Sequence, residues 1–171
     1  SATPRSSDHF SDPRLEPSQA ERLFVSLQKT AYLLQERLQE TLKDANLSIP
    51  LYNVLRLLRR MAGRDGMTCM EIRNELIARV PNVTRLLDRL EAAKLVTRVR
   101  DTKDRRAVRT RLTPEGESLL GDLDRSVKAL HEQQFGALDE SAREALERLL
   151  ATVHDDETSR VSETRETPPP F

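Results

Sequence analysis

Tryptophan is absent from the chain, aromatic residues make up 4 % of it, and Cys69 is the only cysteine. A core here cannot be organised around large rings. It must be built from Leu, Val, Ile and Ala, a composition suited to helix-on-helix packing. A lone thiol forms no intrachain disulfide, so a reducing cytoplasm is the expected compartment. Only five glycines are present, none in a GxGxxG or GKS/T setting, which argues against a phosphate-cradling loop. No apolar run approaches the ~18 to 20 residues of a transmembrane helix, so no membrane partner is expected. The first residues lack the apolar core of a secretion signal, and Ser1 in place of Met suggests a processed end. Paired carboxylates and nucleophile–base arrangements are also missing. His9, His131 and His154 are scattered and make no convincing ligand set. No enzyme, cofactor or metal is expected.

Charge is plentiful but unevenly placed. The chain has 28 basic and 28 acidic side chains among 171 residues. Residues 79–111, RVPNVTRLLDRLEAAKLVTRVRDTKDRRAVRTR, hold eleven Lys or Arg against four Asp or Glu, a balance of +7. The remainder, 17 basic and 24 acidic, sums to −7. A neutral protein that gathers its positive charge into one stretch is usually facing a polyanion. The length predicts a single domain with a real core.

In chain order, residues 1–18 are rich in Ser, Pro and Asp and read as an arm. Residues 19–45 read as a long helix whose apolar positions cover so much of its circumference that it needs two partners. Residues 48–61 form the next, with Ser48 at the N-cap and Pro50 in the first turn. Residues 68–77 open on the capping box Thr68-x-x-Glu71, with Met70, Ile72, Leu76 and Ile77 as apolar contacts. After a break at 78–80, Pro81 starts a helix to residue 93. Val83, Leu86, Leu87 and Leu90 face inward, and Asn82, Arg85 and Arg89 share the outward face. Two short helices with a tight break between them make a helix-turn-helix candidate. The period then changes to two. Residues 95–100 and 107–112 read as strands around a charged loop at 101–106, a wing. Thr113 caps a helix over 114–135, Asp139 caps another over 140–154, and residues 155–171 read as a polar tail. The fold class is mainly α with a small β-wing.

This order of elements resembles the MarR family of winged helix-turn-helix transcriptional regulators. The resemblance covers about residues 20–154 and is strongest in VPNVTRLLDRLEAAKLVTRVRDTKDRRAVRTRLTPEG. There a recognition helix, an Asp-Arg-Arg wing tip and a Leu-Thr-Pro-Glu-Gly helix start follow at the family's spacing, and LSIPLYNVLRLLR resembles the family's second helix. Lys94 departs from the pattern, which usually has Gly where the recognition helix ends. It implies strain on the order of 1 kcal/mol or a different cap. The family implies a homodimer on a palindromic operator. Residues 19–45 and 114–154 would form the helical dimerisation region from both chain ends, and 48–112 the winged helix-turn-helix.

The expected partner is double-stranded DNA, with phosphates supplying affinity and base edges specificity. Asn82, Thr84 and Arg85 are best placed for bases, and Arg89 for a base or a phosphate. Arg106 matches the family's wing arginine and is expected in the minor groove. Lys103 and Arg105 are expected on phosphates. Asp104 is expected to hold the loop by pairing with an arginine. The family also implies a small-molecule effector, often phenolic or aromatic, bound between the dimer helices and the winged-helix core. Tyr32, Tyr52, Arg59 and Met61 are the candidate lining residues. The expected function is a repressor released from DNA by such a ligand. The alternative is a regulator controlled by oxidation of Cys69 or by a protein partner, although Cys69 does not match the family's redox position and reads as structural. A protein-binding scaffold is a third reading, which the basic stretch argues against.

Overall fold

The structure, a computed structural model, describes residues 16–61, 66–76, 82–101 and 104–166, with side chains as far as residue 161. Most of the predicted arm, the break at 78–80, the expected helix start at Pro81, Ile77 and the wing residue Lys103 lie outside the described residues.

The first helix, α1 (Gln19–Leu42), begins at a capping box in which the Ser18 N–H donates to Glu21 Oε2 at 2.6 Å and the Glu21 N–H donates to Ser18 Oγ at 3.2 Å. Only its last turns enter the core, where Leu42 is fully buried. Gln39 ties it to the next element, donating to the Leu47 carbonyl at 2.9 Å and accepting from the Ile49 N–H at 3.1 Å. Helix α2 (Ile49–Arg60) is the centre of the core, with Leu51, Val54, Leu55 and Leu58 buried. Ser48 stands at its N-cap as expected, but its side chain makes no capping hydrogen bond.

Helix α3 (Cys69–Glu75) starts on the predicted capping box: the Thr68 N–H donates to Glu71 Oε2 at 2.7 Å, and the Glu71 N–H to Thr68 Oγ1 at 3.2 Å. Ile72 is buried, whereas Met70 is 63 % exposed and makes no core contact of the kind expected. Helix α4 (Val83–Ala92) follows, with Val83, Leu87 and Leu90 buried and Leu86 half-buried, the predicted inward set.

Strands β2 (Val96–Arg100) and β3 (Val108–Leu112) pair antiparallel as the expected wing, with Arg98 opposite Thr110. A third strand, β1 (Met67–Thr68), pairs with the other edge of β3, so the sheet order is β1-β3-β2. The short β1 runs straight into α3, which places the helix-turn-helix and the wing on one sheet.

Helix α5 (Pro114–Gln134) is capped by Thr113, whose hydroxyl accepts from the Gly116 N–H at 3.0 Å. Gly116 is obligatory by contact: a Cβ there would lie 2.3 Å from the Leu95 carbonyl oxygen. Asp139 caps α6 (Glu140–Glu166) through the Ala142 N–H at 2.8 Å. This helix does not end near residue 154. Beyond Val153 its apolar residues thin out to Val161, while pairs such as Arg160–Asp156 at 3.0 Å continue along its exposed surface.

Apolar residues on two helices are left exposed. Leu23, Phe24, Leu27, Tyr32 and Leu33 on α1 are exposed, Phe24 by 62 %, and so are Leu149, Leu150 and Val153 on α6. This is the second face of α1 that the sequence requires a partner to cover.

Candidate nucleic-acid interface

Helix α4 begins abruptly. Asn82, at φ 67°, is in the left-handed region, and its Oδ1 accepts from the Arg85 N–H at 3.2 Å. Asn is among the few residues that adopt this conformation readily. Asn82 is therefore the cap of the helix rather than a member of its first turn, and its carboxamide oxygen is engaged in holding the N-terminus. Thr84, Arg85 and Arg89 lie on the helix itself, with Thr84 and Arg89 exposed. The Thr84 hydroxyl lies 3.7 Å from the Cys69 thiol, across the contact between α3 and α4.

The helix ends in the way Lys94 foreshadows. The Lys94 N–H donates to the Glu91 carbonyl and the Leu95 N–H to the Leu90 carbonyl, both at 2.9 Å. This pair of bonds is a Schellman cap, which requires a left-handed residue at its turn. Lys94 takes that place at φ 60°. Its carbonyl accepts from Thr113 Oγ1 at 2.7 Å, joining the end of α4 to the start of α5.

Charges around α4 are sorted by strand β2. Arg98 donates from Nε to Glu91 Oε2 at 2.8 Å and from its guanidinium to Asp88, and its own N–H donates to Glu91 Oε1 at 3.2 Å. The hydrogen bond to Asp88, ahead of that to Glu91, raises the Arg98 pKa further. Asp88 is thus held by Arg98 and not by Arg85 or Arg89. Among the described residues, Arg85, Arg89, Arg105 and Arg106 have no carboxylate within ion-pair distance. All four are exposed.

The wing tip is a tight turn. The Ala107 N–H donates to the Asp104 carbonyl and the Asp101 N–H to the Ala107 carbonyl, both at 2.9 Å. The Asp104 carboxylate accepts from the Arg106 backbone N–H at 2.9 Å. It shapes the loop, but not by pairing with an arginine side chain. That pairing belongs to Asp101, whose carboxylate accepts from Arg109 Nε. Sequence reasoning misses both partners because they meet only across the closed hairpin.

Of the four expected ligand-lining residues, Tyr52 and Arg59 lie near one another on α2, Met61 stands at the end of that helix and Tyr32 is on α1. Tyr32 is exposed on α1 and donates to Glu36 at 2.7 Å. Tyr52 is 2 % exposed and packed in the core, where burial raises its hydroxyl pKa. The Arg56 guanidinium sits 5.6 Å from the centre of its ring. Arg59 makes a bidentate pair with Asp124 on α5, at 3.0 and 2.8 Å. It also borders a cleft of about 350 Å³ between α2 and α3, with Arg56, Arg60 and Glu75. Met61 borders a separate 150 Å³ crevice beside Met67 and Glu71.

A recognition helix with an exposed basic face, a helix packed behind it and a hairpin on the same sheet define a winged helix-turn-helix DNA-binding protein. The comparisons with known proteins make the class specific. The family model described as MarR family matches residues 47–108. The transcriptional regulator TtmR of Methylorubrum extorquens is 31 % identical over 153 residues, 90 % of this chain and 74 % of that protein. The chain belongs to the MarR family and is a DNA-binding transcriptional regulator, not an enzyme.

Solved structures agree. The MarR transcription factor of Planctomyces limnophilus is 34 % identical, with a TM-score of 0.61 over 80 % of this chain and 98 % of that one. A mutant of Escherichia coli MarR, complexed with operator DNA, is 26 % identical, with a TM-score of 0.70 over 77 % of this chain and 93 % of that one. BpsR of Bordetella bronchiseptica, whose DNA binding is regulated by 6-hydroxynicotinic acid, is 25 % identical, with a TM-score of 0.67 over 78 % of this chain and 99 % of that one.

Proposed function

We propose that the chain is a homodimeric, cytoplasmic repressor that binds a palindromic operator and is released from it by a small, phenolic or aromatic ligand. The observation that carries the DNA half of this reading is the sorting of charge on and around α4. The acids Asp88 and Glu91 are consumed by Arg98, while Arg85, Arg89, Arg105 and Arg106 remain exposed without a carboxylate partner among the described residues. Such a surface fits a helix in the major groove with a wing reaching the adjacent minor groove. Thr84 and Arg85 then meet base edges, Asn82 sets the helix end, Arg89 meets a base or a phosphate, and Lys103 and Arg105 meet phosphates. Arg106 enters the minor groove.

The homodimer is supported by the exposed apolar faces of α1 and α6. Residues 19–45 and 114–154 form the dimerisation region in this reading, and 48–112 the DNA-binding domain. A two-fold dimer places its half-sites about one helical turn apart. Ligand control is supported by the regulated relative described above and by the Arg59–Asp124 pair, which joins the DNA-binding region to α5 where a ligand could act.

Selection of bound fragments from genomic DNA, followed by footprinting, tests the reading. Two protected half-sites related by a two-fold axis are expected, with dimer mass by light scattering. A single asymmetric half-site contradicts the dimeric mode. Arg106→Ala is expected to weaken operator binding severely at an unchanged melting temperature. Unaltered affinity at matched salt removes the wing from the mechanism.

A further inference from the structure

The wing and the helix-turn-helix are separate stretches of chain, yet both must meet one duplex. Arg98 supplies one anchor, from β2 to α4. The second anchor is Arg109. It is the second residue of the sheet's central strand, opposite Thr68 on β1 and Val99 on β2. Its guanidinium donates from Nε to Asp101 at the root of the wing loop and from Nη1 to the Gly66 carbonyl at 3.0 Å. The same Nη1 lies 3.5 Å from Glu71 Oε2, the carboxylate that caps α3. One side chain therefore joins the wing root, the entry to β1 and the first turn of α3.

We infer that Arg109 is a positioning residue for DNA binding. It fixes the pitch of the wing against the helix-turn-helix, so that Arg106 and α4 engage the same DNA, without contacting DNA itself. The backbone ladder from β3 to β1 and the Arg98 anchor limit how far the wing rocks, and a side-chain tie from Arg109 to α3 stiffens it further. The pair is also not a solvated surface pair. The Asp101 side chain is 12 % exposed and that of Arg109 26 %. Removing one partner takes from the other its half-buried opposite charge, which the remaining hydrogen bonds replace only in part. Asp101 further accepts from the Asp104 N–H at 3.3 Å, so its position is passed on to the turn that carries Arg106. A lysine cannot reproduce this arrangement. Its compact ammonium lacks the planar fork that meets several acceptors at once.

The inference rests on the assignment of Arg106 to DNA made above, and a double-mutant cycle separates the two. Operator affinity is measured for the full chain and for Arg106→Ala, Arg109→Met and the double variant at one salt concentration. Circular dichroism confirms folding, and Asp101→Asn serves as a second, isosteric variant. Arg109→Met and Asp101→Asn are each expected to weaken binding about tenfold and to remove hydroxyl-radical protection of the flanking minor groove. Base preferences read by α4 are expected to persist. In the Arg109→Met background, Arg106→Ala is expected to cost less than about threefold more, because its contact is already lost. Arg109→Lys is expected not to restore affinity. Unchanged affinity in Arg109→Met, or losses that multiply in the double variant, overturn the positioning role. Should Arg106→Ala alone leave affinity intact, the wing assignment fails instead.

Discussion

Lys94→Gly should make the protein more stable, although it removes a side chain and a charge. Lys94 is held at φ 60° because the Schellman bonds to Glu91 and Leu90 leave no other conformation at that turn. A left-handed conformation costs a residue with a Cβ roughly 1–2 kcal/mol. Glycine removes that cost but gives back about 0.4–1 kcal/mol through the greater freedom of its unfolded chain. The net gain is about 0.5–1 kcal/mol per protomer. For a chain of this length it corresponds to a melting temperature higher by about 1–4 °C. Lys94→Ala separates strain from charge: it loses the same ammonium, keeps the Cβ and should stay within about 0.5 kcal/mol of wild type. Lys94→Asn should fall between the two, since Asn tolerates this region. Urea unfolding at matched protomer concentration reads the difference as a shift in midpoint at constant slope. A Lys94→Gly protein no more stable than Lys94→Ala would refute the argument from backbone strain.

Three further outcomes follow from other parts of the molecule. Gly116→Ala should destabilise by about 1–3 kcal/mol, since its Cβ would be driven against the Leu95 carbonyl; a melting curve equal to wild type would show that this junction yields. Asp124→Asn tests the link between α2 and α5. The hydrogen bond from Arg59 lowers the Asp124 pKa, so the pair stabilises above the unfolded pKa of about 3.9 and loses its contribution as pH falls through the lower folded value. The gap between wild type and Asp124→Asn, on the order of 0.5 kcal/mol for so exposed a pair, should be present at neutral pH and vanish in acid. Arg85→Ala should cost about 1–3 kcal/mol in operator binding and relax selection at one position of each half-site, read by binding to a randomised operator library.

The helices and the wing are legible in the sequence because hydrophobic period and cap chemistry agree there. Thr68 with Glu71, Thr113 with Pro114 and the alternation at 95–100 each mark an element edge that the structure keeps. The parts that are not legible depend on contacts between distant residues. Strand β1 is two residues long, too short to show a period, and exists because β3 offers an edge. Asn82 has the outward spacing of a helical residue relative to Arg85 and Arg89; its left-handed backbone is a property of the turn before it. Sequence proximity favours Asp104 over Asp101 as the arginine's partner, whereas the hairpin brings position 109 back beside 101. Apolar residues become sparse past the expected end of α6, but an exposed helix can run on along charge pairs. Neither the burial of Tyr52 in the core nor the pairing of Arg59 with Asp124 is legible from residue type alone.

The pairing of Arg98 with both Asp88 and Glu91 has a consequence for kinetics. These two acids stand on the very helix that approaches the nucleic acid, where free carboxylates would slow every encounter by repelling phosphate. One fixed guanidinium at close range offsets half of their charge, so that with Arg85 and Arg89 the helix and its anchor are left net positive. Oppositely charged surfaces arranged in this way speed the diffusional approach and make it fall steeply with ionic strength. A half-buried residue behind the helix is thus expected to quicken the search for DNA of any sequence, before a single base has been read.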